Sequence, residues 1–98
     1  MIRHILLWSY KPETPPAERA RLEAELASLP DRVPALRHVE WGPIVGGRNQ
    51  SFSHGFIMQF DSMDGLTEYT THAEHIRFAL PFGEACSTQV VSDIEVQA

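Results

Sequence analysis

The sequence predicts an α+β domain: a four-stranded antiparallel sheet with its helices on one face. Three observations carry this. Residues 2–10 and 52–60 alternate with the period-two pattern of strands. Leu22, Leu26 and Leu29 repeat at i, i+4 and i+7 between them, the stripe of an amphipathic helix. The chain has 98 residues, enough for one hydrophobic core and not for two.

In 2–10, Ile2, His4, Leu6, Trp8 and Tyr10 share one face, and Arg3, Ile5, Leu7 and Ser9 the other. Apolar groups on both faces place this strand centrally, covered on both sides. Lys11-Pro12-Glu13 breaks it. Thr14-Pro15-Pro16 then opens a helix, with Thr14 as N-cap and proline in the first turn, where the amide has no intrahelical partner. Glu18 complements the helix dipole. Arg19, Arg21, Glu23 and Glu25 read as its solvated face, and Pro30 and Pro34 as its end.

Residues 36–45 read as the second strand, with Val39 and Trp41 on one side, and Gly46-Gly47-Arg48-Asn49 as a turn. In 52–60, Phe52, His54, Phe56, Met58 and Phe60 share one face, and Ser53, Gly55, Ile57 and Gln59 the other. Asp61-Ser62 caps a short helix through Leu66 and Tyr69, which Gly65 weakens by about 1 kcal/mol relative to alanine. Residues 72–86 read as partly helical, interrupted by Pro81 and Gly83, and 90–96 as the last strand.

The resulting order, βαββαβ, is the ferredoxin-like split βαβ arrangement, spanning 1–98 as a single domain. The sheet face away from the helices still shows Ile5, Leu7 and Ile57, which should not stay in water. A second copy of the same sheet covers them most simply, so a homodimer with two sheets face to face is expected, a dimeric α/β barrel.

Composition narrows the function. With 43% hydrophobic and 21% charged residues the chain is that of an ordinary folded domain. The formal net charge is −5 and no run of Lys or Arg occurs, which argues against nucleic acid and anionic membranes as partners. Cys86 is the single cysteine, which fits a reducing compartment. The apolar run at Met1–Trp8 is too short for a signal peptide, and no stretch approaches the ~20 apolar residues of a membrane span. A cytoplasmic location is expected.

The chemistry-bearing residues are histidines. There are five: His4, His38, His54, His72 and His75. His4 and His54 lie on apolar strand faces, where an imidazole needs a partner. They are either hydrogen-bonded core residues or members of one polar pocket. Tyr69, His72 and His75 form a second cluster. His72 and His75 are near neighbours on a helix, whereas Tyr69 and His75, six apart, converge only if the helix ends between them. A histidine titrating near neutrality suits general-base work, and a tyrosine hydroxyl can steady an enolate oxygen.

No metal is expected. HxxH alone matches no compact ligand motif. If the first and third strands pair antiparallel with centres aligned, His4 faces Met58 and His54 faces Trp8. The two histidines then stand ~14 Å apart at ~3.4 Å per residue, too far for one ion. No cofactor is expected either. Gly42, Gly46 and Gly47 form no phosphate loop before a helix. Cys86 has no base beside it and reads as packing. Ser51 and Ser53 lack a nucleophile elbow. Trp8 and Trp41 read as core or interface.

Several segments together resemble the stress-responsive dimeric α/β-barrel, or Dabb, family. They are Ile2-Arg3-His4-Ile5-Leu6-Leu7-Trp8, Val39-Glu40-Trp41-Gly42, Phe52-Ser53-His54-Gly55-Phe56, Tyr69-Thr70-Thr71-His72-Ala73-Glu74-His75 and Val90-Val91-Ser92-Asp93-Ile94-Glu95-Val96. The resemblance covers nearly the whole chain. It departs at Ala73, where the family usually carries proline. It implies a ferredoxin-like subunit and a homodimer of apposed sheets.

In the family's polyketide cyclase branch, a linear poly-β-ketone is closed by intramolecular aldol condensation without a cofactor. A tyrosine and the second histidine of Y-x-x-H-x-x-H act there, with two sheet histidines beside a pocket between helices and sheet. Carried onto this chain, that implies His75 as general base, Tyr69 as enolate stabiliser, and His4 and His54 at the pocket. Leu6, Trp8, Phe56, Met58 and Phe78 would be apolar walls around a small hydrophobic or aromatic carbonyl ligand. Two other readings use the same fold: a non-catalytic small-molecule binding protein, and an enzyme of another class such as a cofactor-free monooxygenase or a haem-dependent relative. His38 reads as a surface residue and His72 as shaping the turn before His75.

Overall fold

Alternating sequence becomes strands that pair in an order set by which of them can be buried. A computed structural model describes residues 1–97. The elements are β1 (Ile2–Tyr10), α1 (Pro16–Arg32), β2 (His38–Pro43), β3 (His54–Phe60), α2 (Met63–Thr71), α3 (Ala73–Ala85) and β4 (Cys86–Glu95). The sheet order is β2-β3-β1-β4, all antiparallel, so the two-faced apolar strand β1 is central as expected. The helices cover one face. Between them and the sheet lie Trp8, Leu22, Leu26, Leu29, Met58, Phe60 and Tyr69, all essentially inaccessible. The fold is the expected ferredoxin-like α+β arrangement, with the second helical segment split in two.

The register is the aligned one: His4 pairs with Met58 and His54 with Trp8. Against β4, His4 pairs with Asp93 and Leu6 with Val91. The turn between β2 and β3 uses Gly47 at φ 93°, a left-handed conformation that favours glycine. Asn49 Oδ1 accepts from the Ser51 amide there.

Several boundaries differ from the sequence expectation. Thr14 is not the N-cap of α1; Pro15 holds that position without a side-chain cap bond. The buried Thr14 hydroxyl instead donates to the Ala85 carbonyl at 2.9 Å, tying the start of α1 to the end of α3. Arg19 and Glu23 are not simply solvated. Arg19 donates to the carbonyls of Thr14 and Lys11 and lies over the Tyr10 ring, and Glu23 accepts from the Tyr10 hydroxyl at 2.8 Å. Pro30 does not end α1. It stands in the last turn, where it removes one donor, while fully buried Leu29 and Val33 hold the turn against the core.

Likewise α3 runs unbroken through Pro81 and Gly83, because Phe78, Phe82 and Ala85 form its buried stripe at i, i+4 and i+7. The third strand begins at His54, not 52, because the Phe52 amide turns back to the Asn49 carbonyl. β4 begins at Cys86 rather than 90. As an exposed edge strand its Ser87-Thr88-Gln89 stretch carries no apolar alternation, and pairing with β1 alone extends it.

The bare sheet face carries Ile5, Leu7 and Ile57, joined by Val90 and Ile94 from β4; Ile57, Val90 and Ile94 are 38%, 45% and 48% exposed. Gly42 and Gly55, paired across β2 and β3, leave a hollow of about 440 Å³ there. It holds no cluster of titratable groups.

The α2–α3 junction sets the directions of the side chains on either side of it. His72 leaves helical geometry at φ −71° and ψ 139°, and its Nδ1 accepts from the Glu74 amide at 3.0 Å, capping α3. Ala73 is therefore the first helical residue after an extended one. That is the position proline favours, and an extended predecessor is what proline requires. Ala73→Pro is expected to stabilise the chain by about 0.4–1 kcal/mol, raising Tm by roughly 2–6 °C in thermal denaturation. A fall in Tm would show that His72 and Ala73 lack this geometry.

Candidate functional site

One cavity gathers the chemistry. It has a volume of about 240 Å³ and opens between α3 and the sheet, at the β1–β4 side. His4, Leu6, Phe56, Tyr69, His75 and Phe78 line it, with Thr70, Ala79, Phe82, Gln89 and Val91. The alternation of β1 and β3 delivers His4, Leu6 and Phe56 to the helix side. The end of α2 delivers Tyr69 and the first turn of α3 delivers His75.

The helix does end between Tyr69 and His75. Their rings lie 4.4 Å apart between centroids, tilted by 55°. On a continuous helix they would point about 120° apart. The extended backbone at His72 redirects the chain so that both turn inward.

Hydrogen bonding fixes the His75 tautomer. His75 Nδ1 lies 3.0 Å from the Thr70 carbonyl oxygen. A carbonyl only accepts, so Nδ1 carries the proton and Nε2 keeps its lone pair. Thr70 is in the last turn of α2, where carbonyls lack intrahelical donors, so this bond also satisfies a helix end. Burial lowers the His75 pKa; the Thr70 bond opposes this, and the nearby His4 lowers it further. His75 is thus a neutral imidazole at neutral pH. Tyr69 is 1% exposed, and burial alone pushes its hydroxyl well above the ordinary tyrosine value. It stays a protonated donor.

His4 stands opposite this pair. Its ring centroid is 6.3 Å from that of Tyr69 and 5.9 Å from that of Phe56. Its Nδ1 meets Asp93 Oδ1 at 2.6 Å across the β1–β4 pairing.

The other expected pocket residues are elsewhere. His54 does not line this cavity. It stacks on Trp8 at 5.3 Å, meets Tyr10 edge-on, and its Nδ1 pairs with Ser53 Oγ at 2.7 Å. Trp8 and Met58 have no exposed surface and pack in the core, so neither is a wall. The expectation that the two sheet histidines share one pocket is corrected for a simple reason. They share a face, but the register sets them four residues apart along β1.

Asp93 is the functional-site neighbour that sequence reasoning passed over. Centring the expected last strand, 90–96, on 2–10 would have set Asp93 across from Leu6; it faces His4 because β4 begins at Cys86. His38 is exposed beside Glu40, and His72 is a helix cap. Cys86 is buried in the core, and burial raises its thiol pKa. Among the described residues no three His, Cys, Asp or Glu side chains gather as a metal site would need, and no helix is long and apolar enough to cross a membrane.

Comparison with known proteins agrees with this fold. The sequence model of the Stress responsive A/B Barrel Domain family matches residues 2–96. The stress-response A/B barrel domain-containing protein HS1 of Arabidopsis thaliana is 30% identical, over 83% of this chain and 76% of its own. Olivetolic acid cyclase of Cannabis sativa is 24% identical, over 79% of this chain and 78% of its own. Among solved structures, hydroxynitrile lyase from Passiflora edulis superposes with a TM-score of 0.93 at 23% identity, covering 98% of this chain and 93% of that one. A dimeric ferredoxin-like protein of unknown function from Thermobifida fusca superposes with a TM-score of 0.83 at 21% identity, covering 97% and 90%. The chain belongs to the stress-responsive A/B barrel domain family.

Proposed function

We propose that this member of the stress-responsive A/B barrel family is a cofactor-independent cyclase or lyase acting on a β-polyketone or similar carbonyl compound. One observation carries the reading: His75, its Nδ1 bound to the Thr70 carbonyl, keeps its Nε2 lone pair free, and its ring lies 4.4 Å from the Tyr69 ring in the same cavity. Base and acid thus stand together in an apolar cavity. Relatives named as a cyclase and a lyase support the reaction class.

In the cyclase form, His75 Nε2 takes a proton from the carbon between two carbonyl groups. The bonding pair moves to a carbonyl oxygen as an enolate, and Tyr69 donates a hydrogen bond to it. The nucleophilic carbon attacks a distant carbonyl of the same chain and forms the new C–C bond. The alkoxide produced takes the proton back from the His75 imidazolium. Leu6, Phe56 and Phe78 keep water away, and the confined shape holds the reacting carbons close.

We also propose a homodimer through the bare sheet face, where Ile5, Leu7, Ile57, Val90 and Ile94 need cover. The dimeric Thermobifida fusca protein of the same fold supports it. The free, buried Cys86 suits a cytoplasmic setting.

With a linear triketone as substrate, His75→Ala is expected to lower kcat by about 10²–10⁴-fold and Tyr69→Phe by about 10²–10³-fold. The acid limb of kcat should fall below the ordinary histidine pKa of about 6.5, because burial lowers that of His75, and the alkaline limb above about 10. Full turnover by His75→Ala would refute the catalytic assignment and leave the cavity a binding site. Light scattering at micromolar concentration should read twice the chain mass of 11.1 kDa; a single-chain mass would refute the dimer.

A further inference from the structure

A second copy laid on the bare sheet face leaves two large apolar side chains uncovered on the opposite, helix side. They are Trp41, 39% exposed on the edge strand β2, and Val91, 52% exposed on the edge strand β4. We infer that they meet between copies, so that the partner's Trp41 walls the mouth of the cavity and selects ligands with an aromatic or long alkyl substituent.

The register makes the contact possible. Trp41 pairs with Phe56, Phe56 with Leu6 and Leu6 with Val91, so the two exposed side chains end one row across the sheet. Phe56, Leu6 and Val91 of that row line the cavity. Within one chain the ends stand three strand spacings apart, about 14 Å at ~4.8 Å each. They approach only where the free edge of β2 comes alongside the free edge of β4 in another copy. Each neighbouring pair in the sheet is antiparallel, so β2 also runs antiparallel to β4. A two-fold axis parallel to the strands keeps that relation between copies and closes the two sheets into one antiparallel barrel.

The bare face selects this axis independently. Its middle row reads Gly42, Gly55, Leu7 and Val90 in sheet order. Half of that row is the floor of the 440 Å³ hollow, and the other half is a ridge. A Cβ added at Gly42 would meet nothing within 4 Å, so the hollow is open to a partner's side chain. An axis parallel to the strands sets each hollow against the partner's ridge, and Glu40 toward the partner's Ser92. An axis across the strands lays β2 on the partner's β2. That sets hollow against hollow or brings the two Glu40 carboxylates together, which like-charge repulsion disfavours.

The cavity opens at the β1–β4 side, with Gln89 and Val91 of β4 at its rim. An indole beside them extends the apolar walls outward without adding a charge. The reacting carbonyls face Tyr69 and His75, so Trp41 meets the far end of the ligand. A small diketone does not reach it. This selectivity rests on the proposed homodimer and on the proposed carbonyl substrate; the meeting of β2 and β4 rests on the homodimer alone.

The test uses the full chain. Trp41→Cys/Val91→Cys, treated with a short bis-maleimide, should give a covalent dimer linked from position 41 to position 91. Peptide mapping identifies the link and separates any reaction at the buried Cys86. Neither single variant should cross-link. A covalent dimer from Trp41→Cys alone, or no link from 41 to 91, would overturn the inference. Trp41→Ala should bind benzoylacetone about 10-fold more weakly than the wild-type chain, and Trp41→Phe within about 3-fold of it, whereas 2,4-pentanedione should change by no more than about 2-fold in either. Equal losses for the two diketones, or no loss for benzoylacetone, would overturn the role of Trp41. Failure of the homodimer appears as a single-chain mass, and failure of the catalytic reading as full turnover by His75→Ala, so each is told apart from failure here.

Discussion

The site depends on one departure from helical geometry, at His72. Tyr69 and His75 are six residues apart, a separation that would splay them about 120° apart on a straight helix. The extended backbone of His72, with its ring capping α3, breaks the helix for one residue and folds the two side chains onto each other. The break also leaves the Thr70 carbonyl without an intrahelical donor, which the His75 ring supplies. Convergence and tautomer thus have one origin: the junction that brings the base beside the acid also decides which nitrogen of the base is free.

Burial then separates the two groups in proton affinity. The same apolar surroundings that keep Tyr69 protonated keep His75 neutral, since desolvation disfavours the charged form of each. The pair consists of a donor and an acceptor at neutral pH. The sheet contributes the opposite wall. β1 carries His4 and Leu6 there, and the edge strand β4, otherwise exposed, carries Asp93 and Val91. An edge strand with little burial of its own therefore participates in the site through a cross-strand pair.

Much of this was legible in the sequence where periodicity is strong. The alternation of 2–10 and 52–60 set both strands and their faces, though the third begins only at His54, and simple centring set His4 against Met58 and His54 against Trp8, as found. The requirement that the helix end before His75 was legible from spacing alone. Pro81 and Gly83 misled because local propensity competes with a buried stripe, and in α3 the stripe of Phe78, Phe82 and Ala85 prevails. His54, Trp8 and Met58 misled because a shared face does not fix height along a strand. Asp93 was hidden because β4 pairs with the whole of β1 but shows no core pattern that would reveal its register.

The central claim is that Tyr69 and His75 act on one ligand oxygen and its neighbouring carbon. The most direct measurement is a crystal structure of the protein soaked with a triketide analogue. Tyr69 Oη and His75 Nε2 are expected both within about 3 Å of the same carbonyl region, with the apolar remainder against Leu6, Phe56 and Phe78. A ligand seated elsewhere, or Tyr69 and His75 turned apart around it, would contradict the claim.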